Sequence, residues 1–255
     1  MFQINKQEPL KSERSENGDL SIHSIFYTIQ GEGPYVGRPA VFIRLAGCNL
    51  QCPGCDTDYT NGAATESVDS VVTRAIASMG TAFKPFRSGL VVITGGEPFR
   101  QNIIPLIRAL RKSNFEVQIE TNGTLSPWGR EPVPISPPQF AVVVSPKAGK
   151  VHEDLWGSII AYKYVVNADA VSPDDGLPVN VLGLPGKVAR PYPGYRGPVY
   201  VQPADEPEDA QSVHSFLTTV GVNDKNSLNM KSAIKSCMDF GYTLCIQTHK
   251  SIGLP

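Results

Sequence analysis

Cys48-Asn49-Leu50-Gln51-Cys52-Pro53-Gly54-Cys55 places three thiols within one short loop, spaced C-x3-C-x2-C. Thiols this close either hold a metal or form one disulfide with a sulfur to spare. The stretch before them, residues 1–19, is polar and charged and lacks the apolar core of an export signal. No run is long enough to span a bilayer. The expected compartment is therefore the cytoplasm, where thiols stay reduced and clustered cysteines bind metal more often than each other. Only Cys237 and Cys245 remain, far downstream. A structural zinc asks for four protein ligands, so His23, His152, His214 or His249 would have to complete the set from a distance. An iron–sulfur cube held by three thiolates needs no fourth residue, because one iron stays open to a ligand that is not protein.

A second motif follows. Leu90-Val91-Val92-Ile93 is a continuous apolar run that ends in Thr94-Gly95-Gly96-Glu97-Pro98, the composition of a buried parallel strand running into a glycine turn. Glycines there let a ligand approach the backbone, and Glu97 offers a carboxylate at the ligand edge of an α/β sheet. With the cysteine loop ahead of it, this pattern resembles the radical S-adenosylmethionine enzymes. The resemblance implies that the open iron is chelated by the amino and carboxylate groups of S-adenosylmethionine. It also implies that the Gly-Gly-Glu-Pro segment hydrogen-bonds that amino group.

Further segments sharpen the resemblance to one family, 7-carboxy-7-deazaguanine synthase, over roughly Ile22 to Pro255. They are Ile25-Phe26-Tyr27-Thr28-Ile29-Gln30-Gly31-Glu32-Gly33, then Gly37 through Leu50, Cys55-Asp56-Thr57, Glu120-Thr121-Asn122-Gly123, Ser145-Pro146-Lys147, Gln202-Pro203-Ala204-Asp205 and Gln247-Thr248-His249-Lys250 to Pro255. The family resemblance implies a lyase of deazapurine (queuosine-type) biosynthesis. A 5′-deoxyadenosyl radical would abstract hydrogen from C6 of 6-carboxytetrahydropterin, after which the ring contracts and ammonia leaves. It implies a [4Fe–4S] cluster on Cys48, Cys52 and Cys55, and Mg2+ on Thr57. S-adenosylmethionine would lie against Gly54, Cys55, Asp56, Gly96, Glu97, Ser145, Pro146, Lys147, Gln202, Pro203, Ala204 and Asp205. The pterin would meet Ile29, Gln30, Gly31, Glu32, Arg44, Thr94, His249 and the carboxylate of Pro255. Glu120 and Asn122 would line the same mouth. The resemblance further implies a homodimer and an external flavodoxin- or ferredoxin-like electron donor.

Residue chemistry agrees with several of these roles. Arg44 shares one face of an apolar strand with Phe42 and Ala46, so its charge is either solvated or aimed into a cavity, where a guanidinium can grip a carboxylate by two parallel bonds. Thr57 offers the oxygen that a hard cation prefers, although Asp56 could serve the ion as well. Cys237 and Cys245 read as buried apolar fillers. One residue departs from the family pattern. Gly54 stands where an aromatic usually precedes the third cysteine, which would leave the cluster more open to solvent.

These groups need a scaffold that brings strand ends together. The chain's 41% hydrophobic content is that of a globular protein, and its net charge of −1 gives no electrostatic reason to expect a nucleic-acid or membrane surface. Strands are expected at 22–29, 40–46, 89–94, 115–120, 140–144, 161–166 and 199–202. Helices are expected at 67–79, 102–112, 206–220 and 229–240. Strands alternating with helices predict parallel βαβ units, and too few helices for a complete eight-fold barrel predict a partial, splayed (β/α) barrel with its motifs at one mouth. Residues 1–20 are expected to form a loose tail, 21–255 a single catalytic domain, and the proline-rich stretches 127–138 and 185–198 surface connections.

Overall fold

Alternation of side chains sets the architecture. In the strand Pro39–Leu45 (β2), Val41, Ile43 and Leu45 are wholly buried on one face while Phe42 and Arg44 turn to the other. The computed structural model describes residues 5–15, 18–55, 57–80, 89–129, 139–205 and 225–254. Beside β2 lie Leu20–Ile29 (β1), Ala64–Glu66 (β3), Gly89–Gly95 (β4), Phe115–Thr121 (β5), Ala141–Val144 (β6), Ile159–Val166 (β7), Val199–Pro203 (β8) and Thr243–Leu244 (β9). They form one sheet in the order β3-β1-β2-β4-β5-β6-β7-β8-β9. Pairing is parallel from β2 through β9 and antiparallel for β1 with β2 and β3. The result is a partial, splayed α/β barrel, as the strand and helix pattern predicts.

The outer face of the sheet carries the core. Val41, Ile43, Val91, Ile93, Val117, Ile119, Val142 and Val144 pack with residues of Val68–Met79 (α1) and Ile104–Lys112 (α2). Ser67 caps α1 by accepting the Ser70 N–H, and Pro105 sits in the first turn of α2. The inner face is different. Register pairs Arg44 with Thr94, Glu120 with Val143 and Val165 with Gln202, so period-2 alternation puts Arg44, Thr94, Glu120, Lys163 and Gln202 on the concave side.

The seven expected strands and the helices at 67–79 and 102–112 are present, with ends shifted by at most two residues. The last long helix, Lys225–Phe240 (α3), starts earlier than the expected 229, and Asn229 within it accepts the Ala168 N–H and donates to the Ala204 carbonyl, tying it to the exits of β7 and β8. β3, β9 and the single turn Thr248–Ser251 (α4) were not foreseen, being too short to show a period. The expected helix at 206–220 lies outside the described residues, as does most of the 127–138 connection. No helix among the described residues is long and apolar enough to cross a membrane.

The loose tail requires correction over residues 5–15. Asn5 is buried, its N–H donates to the Pro53 carbonyl at 2.9 Å, the Leu10 N–H reaches the Cys48 carbonyl at 2.7 Å, and the Glu13 N–H reaches that of Arg100 at 2.8 Å. Backbone hydrogen bonds to segments far along the chain hold what composition alone reads as polar and unstructured.

Candidate active site

The cysteine loop springs from the end of β2 and is pinned from three sides. Gly47, at φ +78°, donates its N–H to the Tyr59 carbonyl at 2.9 Å. The Gly95-Gly96 turn after β4 presses against it, with the Gly96 N–H on the Leu45 carbonyl and the Glu97 N–H on that of Gly47. A Cβ at Gly96 would lie 2.1 Å from the Gly47 oxygen and 2.8 Å from the Cys48 nitrogen, so no side chain fits without moving backbone. Residues 5–7 close the third side. The Asn5 amide donates to the Cys52 carbonyl and the Tyr59 hydroxyl, and the Gln7 amide joins the Thr57 carbonyl to the Tyr59 N–H.

Gly96→Ala is therefore expected to lower the melting temperature, at a cost of about 1–3 kcal/mol for overpacking, and to reduce the iron bound per chain. Unchanged values of both in a thermal melt and an iron assay would separate this turn from the loop.

Cys48, Cys52 and Cys55 are free thiols that line a cavity of about 370 Å3. Burial pushes the Cys48 thiol up to about 12; burial also takes Cys52 up to about 11, against the pull of the Lys147 ammonium. Among the described residues no three Cys, His, Asp or Glu side chains converge on a single ion. A cube taking one thiolate per iron instead needs thiols spread over its corners, and this all-sulfur donor set fits it.

Glu97 lies behind the glycine turn. Its side chain is wholly buried and does not line the cavity; it accepts the Thr121 hydroxyl, the Phe99 N–H and the Asn122 N–H. Burial raises this carboxyl and those three donors oppose the rise. Glu97 braces β5 against the glycine turn, and Gly95 and Gly96 face the ligand space. Ser145 and Lys147 do line the cavity, the ammonium lying 2.5 Å from the Ser145 hydroxyl. So do Gly54, Gln202 and Asp205, whereas Pro146, Pro203 and Ala204 do not. The Asp205 carboxylate accepts from the Lys250 ammonium at 2.6 Å. Asp56 and Pro255 lie outside the described residues.

The wall of the same cavity also gathers Ile29, Gln30, Glu32, Arg44, Thr94, Glu120 and His249, with Asn122 donating to Asn49 of the cysteine loop. Gly31 is not in the lining, but a Cβ on it would strike the His249 ring at 2.0 Å, so this glycine is what admits the histidine. Lys163, which sequence reasoning missed, sits 8% exposed in this wall and forms an ion pair with Glu32. Burial alone would raise the Glu32 carboxyl; the Lys163 charge and hydrogen bonds from Lys163 and Gln247 outweigh it and hold the group down at about 2. Burial disfavours the Lys163 ammonium, yet Glu32 and Glu120 keep its pKa above the usual lysine value. Glu120 accepts from Gln30 and Gln118; burial raises it, and the Glu32 charge adds to the rise. Arg44 extends over the Phe26 ring, and its Nε is buried with no hydrogen-bond partner among the described residues. A cation with part of its donor set unsatisfied in a cavity wall suits an anionic ligand. Thr57 lines the same space beside Cys55.

Comparison with known proteins agrees with this geometry. The family model of the Radical SAM superfamily matches residues 42–132. Over 234 residues the chain is 40% identical to the 7-carboxy-7-deazaguanine synthase of Rhodospirillum rubrum, covering 91% of each. It is 36% identical to the enzyme of that name from Rickettsia prowazekii, covering 96% of this chain and 94% of the relative. The crystal structure of QueE from Escherichia coli superposes with a TM-score of 0.60 at 24% identity, over 91% of this chain and 98% of that one, and so shares the fold.

Proposed function

Because the chain belongs to the 7-carboxy-7-deazaguanine synthase family, we propose that it converts 6-carboxytetrahydropterin to 7-carboxy-7-deazaguanine, with loss of ammonia, in queuosine-type biosynthesis. The observation that carries this reading is the charged wall that shares a cavity with the thiols. The Arg44 guanidinium side chain lines a cavity that the ionised Glu32 and Glu120 line as well.

When bound, the cluster and S-adenosylmethionine supply radical hydrogen abstraction, with the electron coming from an external flavodoxin- or ferredoxin-like donor. The chain's own residues do the rest. Arg44 takes the pterin carboxylate by charge-assisted bonds. Glu32, acceptor-only while ionised, receives ring and amino N–H donors, and Gln30, Thr94 and His249 fill the remaining edge. Glu120, its carboxyl raised by burial, accepts from Gln30 and Gln118 and holds that edge of the cavity in place. Lys147 and Ser145 offer a cation and a hydroxyl to the cosubstrate, and Asp205 a carboxylate to its ribose hydroxyls. The working unit is proposed to be a homodimer of one catalytic domain per chain.

The direct test incubates anaerobically reconstituted protein with S-adenosylmethionine, a reductant and 6-carboxytetrahydropterin, and follows product by mass. Cleavage of S-adenosylmethionine with the pterin returned intact would overturn the substrate assignment.

Mg2+ gives a separate prediction. Thr57 offers one oxygen to a hard cation whose remaining positions go to substrate oxygens and water. Turnover is expected to rise on adding Mg2+, and Thr57→Ala to require about tenfold more of it, the loss of one ligand bond of roughly 1.4 kcal/mol, with cluster content unchanged. A Mg2+ titration that superposes on the wild type would take Thr57 out of the site.

A further inference from the structure

Gly54 leaves the cysteine loop without a side chain immediately before its third thiol, and a distant turn lies against that gap. Residues Val181 and Leu184 form an antiparallel bridge, closed by the Leu184 N–H on the Val181 carbonyl at 3.0 Å. The turn they bound is carried to the cysteine loop by two contacts. The Gly54 N–H donates to the Leu182 carbonyl at 2.9 Å, and a Cβ built on Gly183 would stand 3.2 Å from Cβ of Pro53. Leu182 itself lines the cavity together with Cys52, Gly54 and Cys55.

Its backbone is the anomaly. Leu182 has φ +50°, a left-handed conformation that an L side chain adopts at a cost and glycine adopts freely. Apart from glycines, Asn114 is the one other described residue with positive φ, and it ends a helix, where asparagine is at home. The turn's own hydrogen bonds use only the backbone of Leu182, so glycine would serve them better. Strain retained at a ligand cavity points to a use for the side chain.

We propose that Leu182 is a positioning residue that covers the open side of the cysteine loop, keeping water from Cys52, Cys55 and the cluster they would hold. The covering role toward the cluster rests on the family reading above. The turn supplies from outside the loop the apolar surface that Gly54 lacks. It also fixes the loop directly, through the Gly54 N–H, so cover and loop move together.

Leu182→Gly separates this role from a merely structural one. Glycine is at ease at φ +50°, which offsets the packing that half-buried Leu182 gives the core, so the variant without cluster is expected to melt within a few degrees of the wild type. In that same cluster-free protein, alkylation of Cys52 and Cys55 by iodoacetamide, followed by mass, should run roughly threefold faster or more, because thiol reactivity follows access. In reconstituted protein, a chelator should strip iron faster by a similar factor. The reduction potential should also move to less negative values, because water stabilises the more negatively charged reduced cluster. Leu182→Met, which keeps the apolar bulk, should behave as wild type in all of these. Alkylation and stripping rates unchanged by Leu182→Gly would overturn the proposal. If the wild-type protein takes up no iron and sulfide while alkylation still accelerates in the variant, the cover stands for the thiols and the cluster reading falls.

Discussion

Serine in place of Cys48, Cys52 or Cys55 is expected to leave a protein with almost no bound iron or sulfide and no turnover, while Cys237→Ala and Cys245→Ala keep both. The asymmetry follows from where the sulfurs lie. The three thiols of the loop line one cavity beside the Gly95-Gly96 turn, and a cube with only three protein ligands has none in reserve, so losing one opens a second iron. A serine hydroxyl is a poor substitute for a soft thiolate. Cys237 is half-buried on α3, and Cys245 is buried with its sulfur 3.4 Å from the Gly33 nitrogen and 3.7 Å from the Gln202 side-chain oxygen. Both act as packing residues, and shortening either costs on the order of 1 kcal/mol, a shift of a few degrees in melting temperature. Iron and sulfide per chain after anaerobic reconstitution decide the matter. Iron lost from the Cys245 variant would overturn the three-ligand assignment.

What the sequence discloses depends on how local the physics is. The thiol loop, the strand running into Gly95-Gly96 and the partial barrel are local patterns of spacing and alternation, and they read directly. Arg44 was found because a charge in an apolar strand is conspicuous, and by that same rule Lys163, inside Ile159–Val166, was equally visible. It was missed because the family motifs pass over it. Glu97 shows the limit of local reading. Its place after the glycine turn marks it as a ligand group, but the direction of its side chain is set by Thr121 at the end of the next strand and Asn122 just beyond it, which no local pattern encodes. Asn5 and Gln7 carry no periodicity at all. Their amides matter only because the cysteine loop, far along the chain, offers backbone groups at the right distance. Leu182 is unreadable for a similar reason, since both its left-handed backbone and its contact with Gly54 belong to the folded chain alone.

The residue missed from sequence carries the largest expected effect in the pterin wall. Lys163→Met keeps the length of the side chain and removes its charge, leaving Glu32 and Glu120 facing each other without a cation. Breaking a buried ion pair from one side costs about 3–5 kcal/mol. Glu32 escapes part of that cost by taking a proton, because burial and the Glu120 charge are then opposed only by the Gln247 hydrogen bond and the His249 charge. In the wild type Glu32 is held down at about 2, so it stays ionised well below neutrality and its contribution to pterin binding should be flat with pH there. In the variant its pKa rises. The ionised acceptor is then lost as pH falls through that raised value and regained as pH increases, so affinity should improve with pH where the wild type does not change. At neutral pH the loss should approach a hundredfold in Kd, roughly 3 kcal/mol, with iron content unaltered. The double variant Glu32→Gln/Lys163→Met removes both charges of the pair together. It should recover much of the melting temperature lost by Lys163→Met alone, since the penalty lies in an uncompensated buried charge, yet it should not recover the pterin. Affinity restored along with stability would mean that the ion pair only holds the wall together, and that the substrate is gripped elsewhere.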